Sequence, residues 1–138
     1  MSDEKYTLDT NILIYSVDRE AGERHQQSIV LMEEMSQCDC ILTLQALSEF
    51  FSAATRKGKM PKSDAREQIN DWMILFPVIT AEPRTLQRAM KAVEAHQFSF
   101  WDAMLLETAA QAGVTRFLSE DMQHGRNWRG MRVHNPYM

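Results

Sequence analysis

Short apolar stretches alternate with longer amphipathic ones from one end of the chain to the other, and that alternation limits the accessible folds more than any other feature. Residues 6–8, 41–43, 78–80, 115–118 and 131–134 read as strands, each too short for a helix. Between them helical spacing recurs. A short helix over 11–16 is rich in Ile and Leu, and a longer one over about 19–35 sets Ile29, Met32 and Ser36 on one side. Leu44, Leu47, Phe51 and Ala54 follow at i, i+3, i+7 and i+10, with Gly58 as the stop. Pro61, Lys62 and Ser63 open the next helix, with Ser63 as N-cap and Ile69, Trp72, Met73 and Phe76 as its apolar face. Pro83 begins another, carrying Leu86, Met90 and Val93. Trp101, Leu105, Thr108 and Ala112 mark the last, closed by Gly113. Such alternation calls for an α/β fold: a parallel sheet with helices on both faces. With no repeat and no linker, residues 1–138 are expected to form one domain.

Composition narrows the function classes. A hydrophobic content of 44% can supply a core. A net charge of −4 argues against holding nucleic acid through bulk positive charge, but leaves room for a nuclease whose cations come partly from bound metal. Basic residues do bunch locally, as Arg56, Lys57, Lys59 and Lys62 and as Arg126, Arg129 and Arg132; a solvated surface explains each group equally simply. No apolar run approaches the ~18 residues of a membrane span. Residues 1–5 are polar and acidic, unlike a secretory leader, so the cytoplasm is the expected location. Cys38 and Cys40 are too close in sequence for an unstrained bridge and too few for a structural zinc site; reduced thiols at the start of a strand are expected.

Four acids are candidates for chemistry. In a parallel sheet ligands gather beyond the carboxyl ends of the strands. Asp9 follows the first strand and Asp121 the fourth, so the two share a rim. Glu49 and Asp102 sit on helices that start near it. Each has a plainer reading. Asp9 can cap the helix behind it, and the two roles are compatible because a carboxylate has two oxygens. Glu49 lies about 200° around its helix from Leu47, where a solvated glutamate is ordinary. Asp102 closes a Ser99-x-x-Asp102 capping pattern, although Phe98, Phe100 and Trp101 around it suggest a sheltered edge. Asp121 can belong to a turn, and Glu120 can stand in for it. Convergence is what gives the four weight. Carboxylates at close range raise one another's pKa, and a hard divalent cation removes that penalty.

The same residues carry a resemblance. Leu8-Asp9-Thr10-Asn11-Ile12-Leu13-Ile14-Tyr15 resembles the opening motif of PIN-domain nucleases, in particular the VapC-type toxins of bacterial toxin–antitoxin pairs. Gln45-Ala46-Leu47-Ser48-Glu49-Phe50-Phe51 resembles the second acidic motif, Ser99-Phe100-Trp101-Asp102-Ala103 the third, and Leu118-Ser119-Glu120-Asp121-Met122-Gln123-His124-Gly125 the fourth. The resemblance implies a three-layer α/β/α sandwich and an endoribonuclease dependent on Mg²⁺, or Mn²⁺ as a substitute. It implies RNA as substrate, a homodimer, and a small protein antitoxin as partner. Carried over by position, Asp9, Glu49, Asp102 and Asp121 are the catalytic and metal-binding acids, with Thr10, Asn11 and Ser119 orienting them. Asp18 resembles a further acid of the family, and capping the next helix is the reading favoured here.

On this view RNA phosphodiester bonds are hydrolysed by metal-activated water. Arg126 or Arg129 could touch phosphate near the rim, and His25, His96, His124 and His134 share no motif and read as structural or surface groups. A phosphotransferase of the haloacid dehalogenase type, with Asp9 as nucleophile, would want a second acid at position 11, which is Asn11. The remaining alternative is a non-catalytic RNA- or peptide-binding module of the same fold.

Overall fold

A computed structural model describes residues 3–56, 59–95 and 97–138; the expectations placed on Lys57, Gly58 and His96 lie outside the described residues. The strands are β1 (Tyr6–Leu8), β2 (Cys40–Thr43), β3 (Val78–Ile79), β4 (Arg116–Leu118), β5 (Asn127–Trp128) and β6 (Met131–His134). They form one sheet in the order β3-β2-β1-β4-β6-β5. Every pairing is parallel except that of β5 with β6. The expected class is therefore observed, with a mostly parallel central sheet between helical layers.

Successive strand residues point to opposite faces, and both faces are covered. Leu8, Leu42 and Leu118 enter a core shared with Ile12, Leu13, Leu47, Phe50 and Trp72. Their neighbours Ile41 and Phe117 enter a second one with Leu105, Leu106 and Val133. The first core belongs to α1 (Thr10–Val17), α2 (Glu23–Ser36), α3 (Leu44–Thr55) and α4 (Lys62–Leu75). Across the sheet lie α5 (Pro83–Glu94) and α6 (Phe100–Gln111), joined to each other through Ala89, Ala92 and Ala103.

Small residues decide which side of a helix is buried, and this corrects several expected faces. Ala46, Leu47, Phe50 and Ala54 are the buried residues of α3, whereas Leu44 and Phe51 are exposed. Thr85, Ala89 and Ala92 are buried on α5 while Leu86 and Met90 are exposed. Ser28 and Met35 are buried on α2 and Ile29 is exposed; Ala65 and Trp72 are buried on α4 and Met73 is exposed. Ser63 lies inside α4, whose N-cap is Pro61. Pro83 does open α5, and Gly113, at φ 83, follows α6 in the left-handed conformation that glycine adopts without strain. Both cysteines are free, Cys40 being the first, buried residue of β2.

Candidate active site

β1 and β4 are neighbours in register, Leu8 opposite Leu118, so their C-terminal ends open side by side. Asp9 continues from β1, its N–H donating to the Leu118 carbonyl at 2.9 Å, and turns the chain directly into α1. Its Oδ1 accepts the Thr10 N–H at 2.7 Å and its Oδ2 accepts the Ser119 hydroxyl at 2.8 Å. The cap and the rim position thus belong to one side chain. Asp9 is only 8% exposed. Burial pushes its carboxyl up to about 6; the bonds from Ser119 and Thr10 pull it down, and the charges of Asp121 and Asp102 push it up further.

The other acids are tied to this one by short side-chain links. Ser119 Oγ accepts the N–H groups of Asp121 and Met122, both at 3.2 Å, while donating to Asp9. The Asn11 amide donates to the Asp121 carboxylate. Burial, Glu120 and Asp102 all hold Asp121 above the usual aspartate range. The Thr10 hydroxyl donates to Glu49 Oε2 at 2.7 Å, joining α1 to the second turn of α3. Gln45 Nε2 reaches Glu49 Oε1 at 3.2 Å and the Trp101 carbonyl at 3.0 Å, joining α3 to the start of α6. The sequence places Gln45 in the second motif without giving it a role; its only signal for one is the one-turn spacing from Glu49.

Asp102 stands in the first turn of α6, within electrostatic reach of Asp9 and Asp121. Two expectations for it fail. Ser99 occupies the N-cap position without a side-chain capping bond, so the capping box does not form. Nor is Asp102 sheltered: it is exposed, beside Trp101 at 61% exposure, and the rings of Phe100 and Trp101 pack edge-on against each other. Asp18 does act as a cap, accepting from the Glu20 N–H at 3.0 Å at the head of the short 3₁₀ turn Arg19–Ala21 that precedes α2.

Among the described residues no Lys or Arg side chain pairs with Asp9, Glu49, Asp102 or Asp121; the nearby Arg24 is taken by Glu120. A crowded set of carboxylates without a cationic partner is suited to a cation, and its all-oxygen chemistry suits a hard one. No group of three or more His, Cys, Asp or Glu side chains among the described residues is arranged to enclose a metal by itself. Mg²⁺ typically binds through one or two carboxylates and keeps several waters, so the residues fit that ion without a closed cage.

The basic and imidazole candidates are engaged elsewhere. Arg126 lies over the Phe98 ring at 4.0 Å. Arg129 sits in the turn before β6, at the end of the sheet opposite the acids, and pairs with the buried Glu107 at 2.7 Å. His25 Nδ1 meets the Tyr15 carbonyl at 2.8 Å, and the rings of His124 and His134 lie 5.1 Å apart. No described helix is long and apolar enough to cross a membrane.

A family model described as PIN domain matches residues 6–127. No curated protein sequence matches the chain. Solved structures do resemble it. One, described as FitAB bound to a DNA fragment, aligns with a TM-score of 0.73 at 14% identity, covering 96% of each chain. A toxin–antitoxin complex from Klebsiella pneumoniae gives 0.68 at 19% identity, covering 96% of this chain and 98% of the other. VapC20 of Mycobacterium tuberculosis, described as a sarcin-ricin-loop-cleaving toxin, gives 0.66 at 17% identity over 82% and 87%. At these identities the likeness is one of fold.

Proposed function

The chain belongs to the PIN domain family, and on that premise we propose that it is an endoribonuclease dependent on Mg²⁺, or on Mn²⁺ in its place, and the toxin of a toxin–antitoxin pair. The observation that carries this reading is the linkage of acids from different elements across one rim: Asp9 to Asp121 through Ser119, and Asp9's neighbour Thr10 to Glu49. In the proposal Asp9 and Asp102 hold the principal cation, with Glu49 and Asp121 completing its surroundings. Bound there, a divalent cation supplies positive charge for a phosphate and lowers the pKa of an attacking water. The protein's own part is positional. Ser119 and the Thr10 N–H fix both oxygens of Asp9, so that their remaining lone pairs have a set direction. Thr10 and Gln45 orient Glu49 in the same way. Asp102, at the exposed side, leaves an approach for an RNA strand.

An antitoxin partner is supported by the similarity to toxin–antitoxin complexes. A homodimer in the cytoplasm is part of the same proposal. Labelled RNA incubated with the wild-type protein should be cleaved in Mg²⁺ and left intact in chelator. Asp9→Asn should keep the fold and lose cleavage by at least ~100-fold. RNA that is bound but never cut under any divalent cation would instead favour a non-catalytic binding module.

A further inference from the structure

Glu120 and Asp121 are adjacent acids after β4, and spacing alone does not say which of them faces a cation. Their side chains have different partners. Glu120 Oε2 accepts the Tyr15 hydroxyl at 2.7 Å, and Oε1 accepts Arg24 Nε at 2.9 Å. Behind these donors stands an aromatic backing: the Arg24 guanidinium lies 4.5 Å over the Tyr137 ring, and Tyr137 meets Tyr15 edge-on at 5.9 Å. The Tyr137 and Ser28 hydroxyls share a hydrogen bond of 2.5 Å. Both oxygens of Glu120 are therefore fixed by groups on α1 and α2.

Asp121 is gripped separately, by Asn11 through its carboxylate and by Ser119 through its N–H. Asn11 and Tyr15 are four residues apart on α1, one turn of the same face. One helix thus holds two consecutive loop residues at a fixed spacing, and the first of α1's residues follows Asp9 directly. A cation ligand must be kept within about half an ångström of its working position, which a polar loop does not achieve unaided.

We propose that Glu120, Tyr15 and Arg24 are positioning residues that aim Asp121 at the cation site, and that Glu120 is not itself a ligand. The inference rests on the proposed cation-dependent activity. In it, α1 acts as a gauge: its start sets Asp9 and its Asn11–Tyr15 face sets Asp121.

The test is titration of the full-length protein with Mn²⁺ alone, free Mn²⁺ being read by electron paramagnetic resonance, beside RNA cleavage and thermal melting. Tyr15→Phe keeps the ring against Tyr137 and removes only the hydroxyl, so it should weaken Mn²⁺ binding about three- to tenfold with little change in melting. Glu120→Gln retains an acceptor for Tyr15 and should weaken binding less than Asp121→Asn. In the Asp121→Asn background Tyr15→Phe should add nothing further, because its target is gone. A Tyr15→Phe protein that matches wild type, additive losses in the double variant, or a Glu120→Gln loss as large as that of Asp121→Asn would each overturn the proposal while leaving the cation-dependent reading in place. Wild-type protein that neither binds Mn²⁺ nor cleaves RNA overturns both.

Discussion

Asp9 has a carboxyl raised to about 6 against an ordinary value of 3.8, mainly because it is buried. A carboxyl with the higher pKa in the folded state favours folding when protonated. That contribution is fully present below about 3.8 and is lost as pH rises through about 6. The gap corresponds to roughly 3 kcal/mol. Without a divalent cation, the stability of wild type relative to Asp9→Asn should therefore fall by about 1–3 kcal/mol between pH 4 and pH 7.5, on top of a pH-independent cost to the variant of replacing one accepting oxygen by an amide. A difference between the two that is the same at both pH values would contradict the electrostatic account. Cation binding asks for the ionised form, so RNA cleavage should rise with pH through about 6 and Mg²⁺ should stabilise wild type but not the Asn variant. At this scale Asp9 and Asp121 were legible because each follows a strand. The supports were less so: Tyr15 and Arg24 reach Glu120 from helices far away in sequence, and nothing local records such a reach, whereas Gln45 stands one turn from Glu49 on the same helix.

Helix α3 brings Glu49 to the rim because it starts directly at the end of β2, where the Thr43 hydroxyl accepts the Ala46 N–H at 3.0 Å. Thr43 is wholly buried, so Thr43→Val, nearly isosteric, should cost about 1 kcal/mol in chemical denaturation and little in packing. On α6, Glu107 is fully buried, with Trp128 Nε1 and Arg129 Nε both at 2.7 Å from Oε1, while Oε2 has no partner among the described residues. Removing one member of such a pair strands a buried charge, so Arg129→Ala should cost about 3 kcal/mol, seen as a lower denaturation midpoint with an unchanged slope. Strand and helix order could be read from the sequence, but helix faces only in part: Leu47, Ala54, Trp72, Leu105 and Thr108 are buried as expected, while other expected residues are exposed. Reading by large apolar residues selects Leu86 and Met90, whereas α5 buries the alanines that let it approach α6. The β5–β6 hairpin was also invisible. Its two-residue loop, Arg129 at φ 52 and Gly130 at φ 82, has the two positive φ values of a type I′ turn, and arginine is not a residue that announces one.

Over the whole molecule the net charge of −4 and the prior engagement of Arg24, Arg126 and Arg129 leave limited cation for phosphates. RNA binding in saturating Mg²⁺ should accordingly weaken only gently with added KCl, with a log–log slope no steeper than about −3 in filter-binding assays. A slope near −8 would instead mean that a basic tract, such as the run of Arg56, Lys59 and Lys62, grips the backbone. The parallel layered architecture was the most legible property, since strand–helix alternation leaves few other ways to bury both faces of a sheet. The two outermost strands, β3 and β5, are only two residues long each, and Pro77 precedes β3. An incoming chain would find almost no free backbone there to extend the ladder. Strand addition is thus disfavoured as a route by which another protein could join this one. The same brevity guards the fold against growing, strand upon strand, into a fibril.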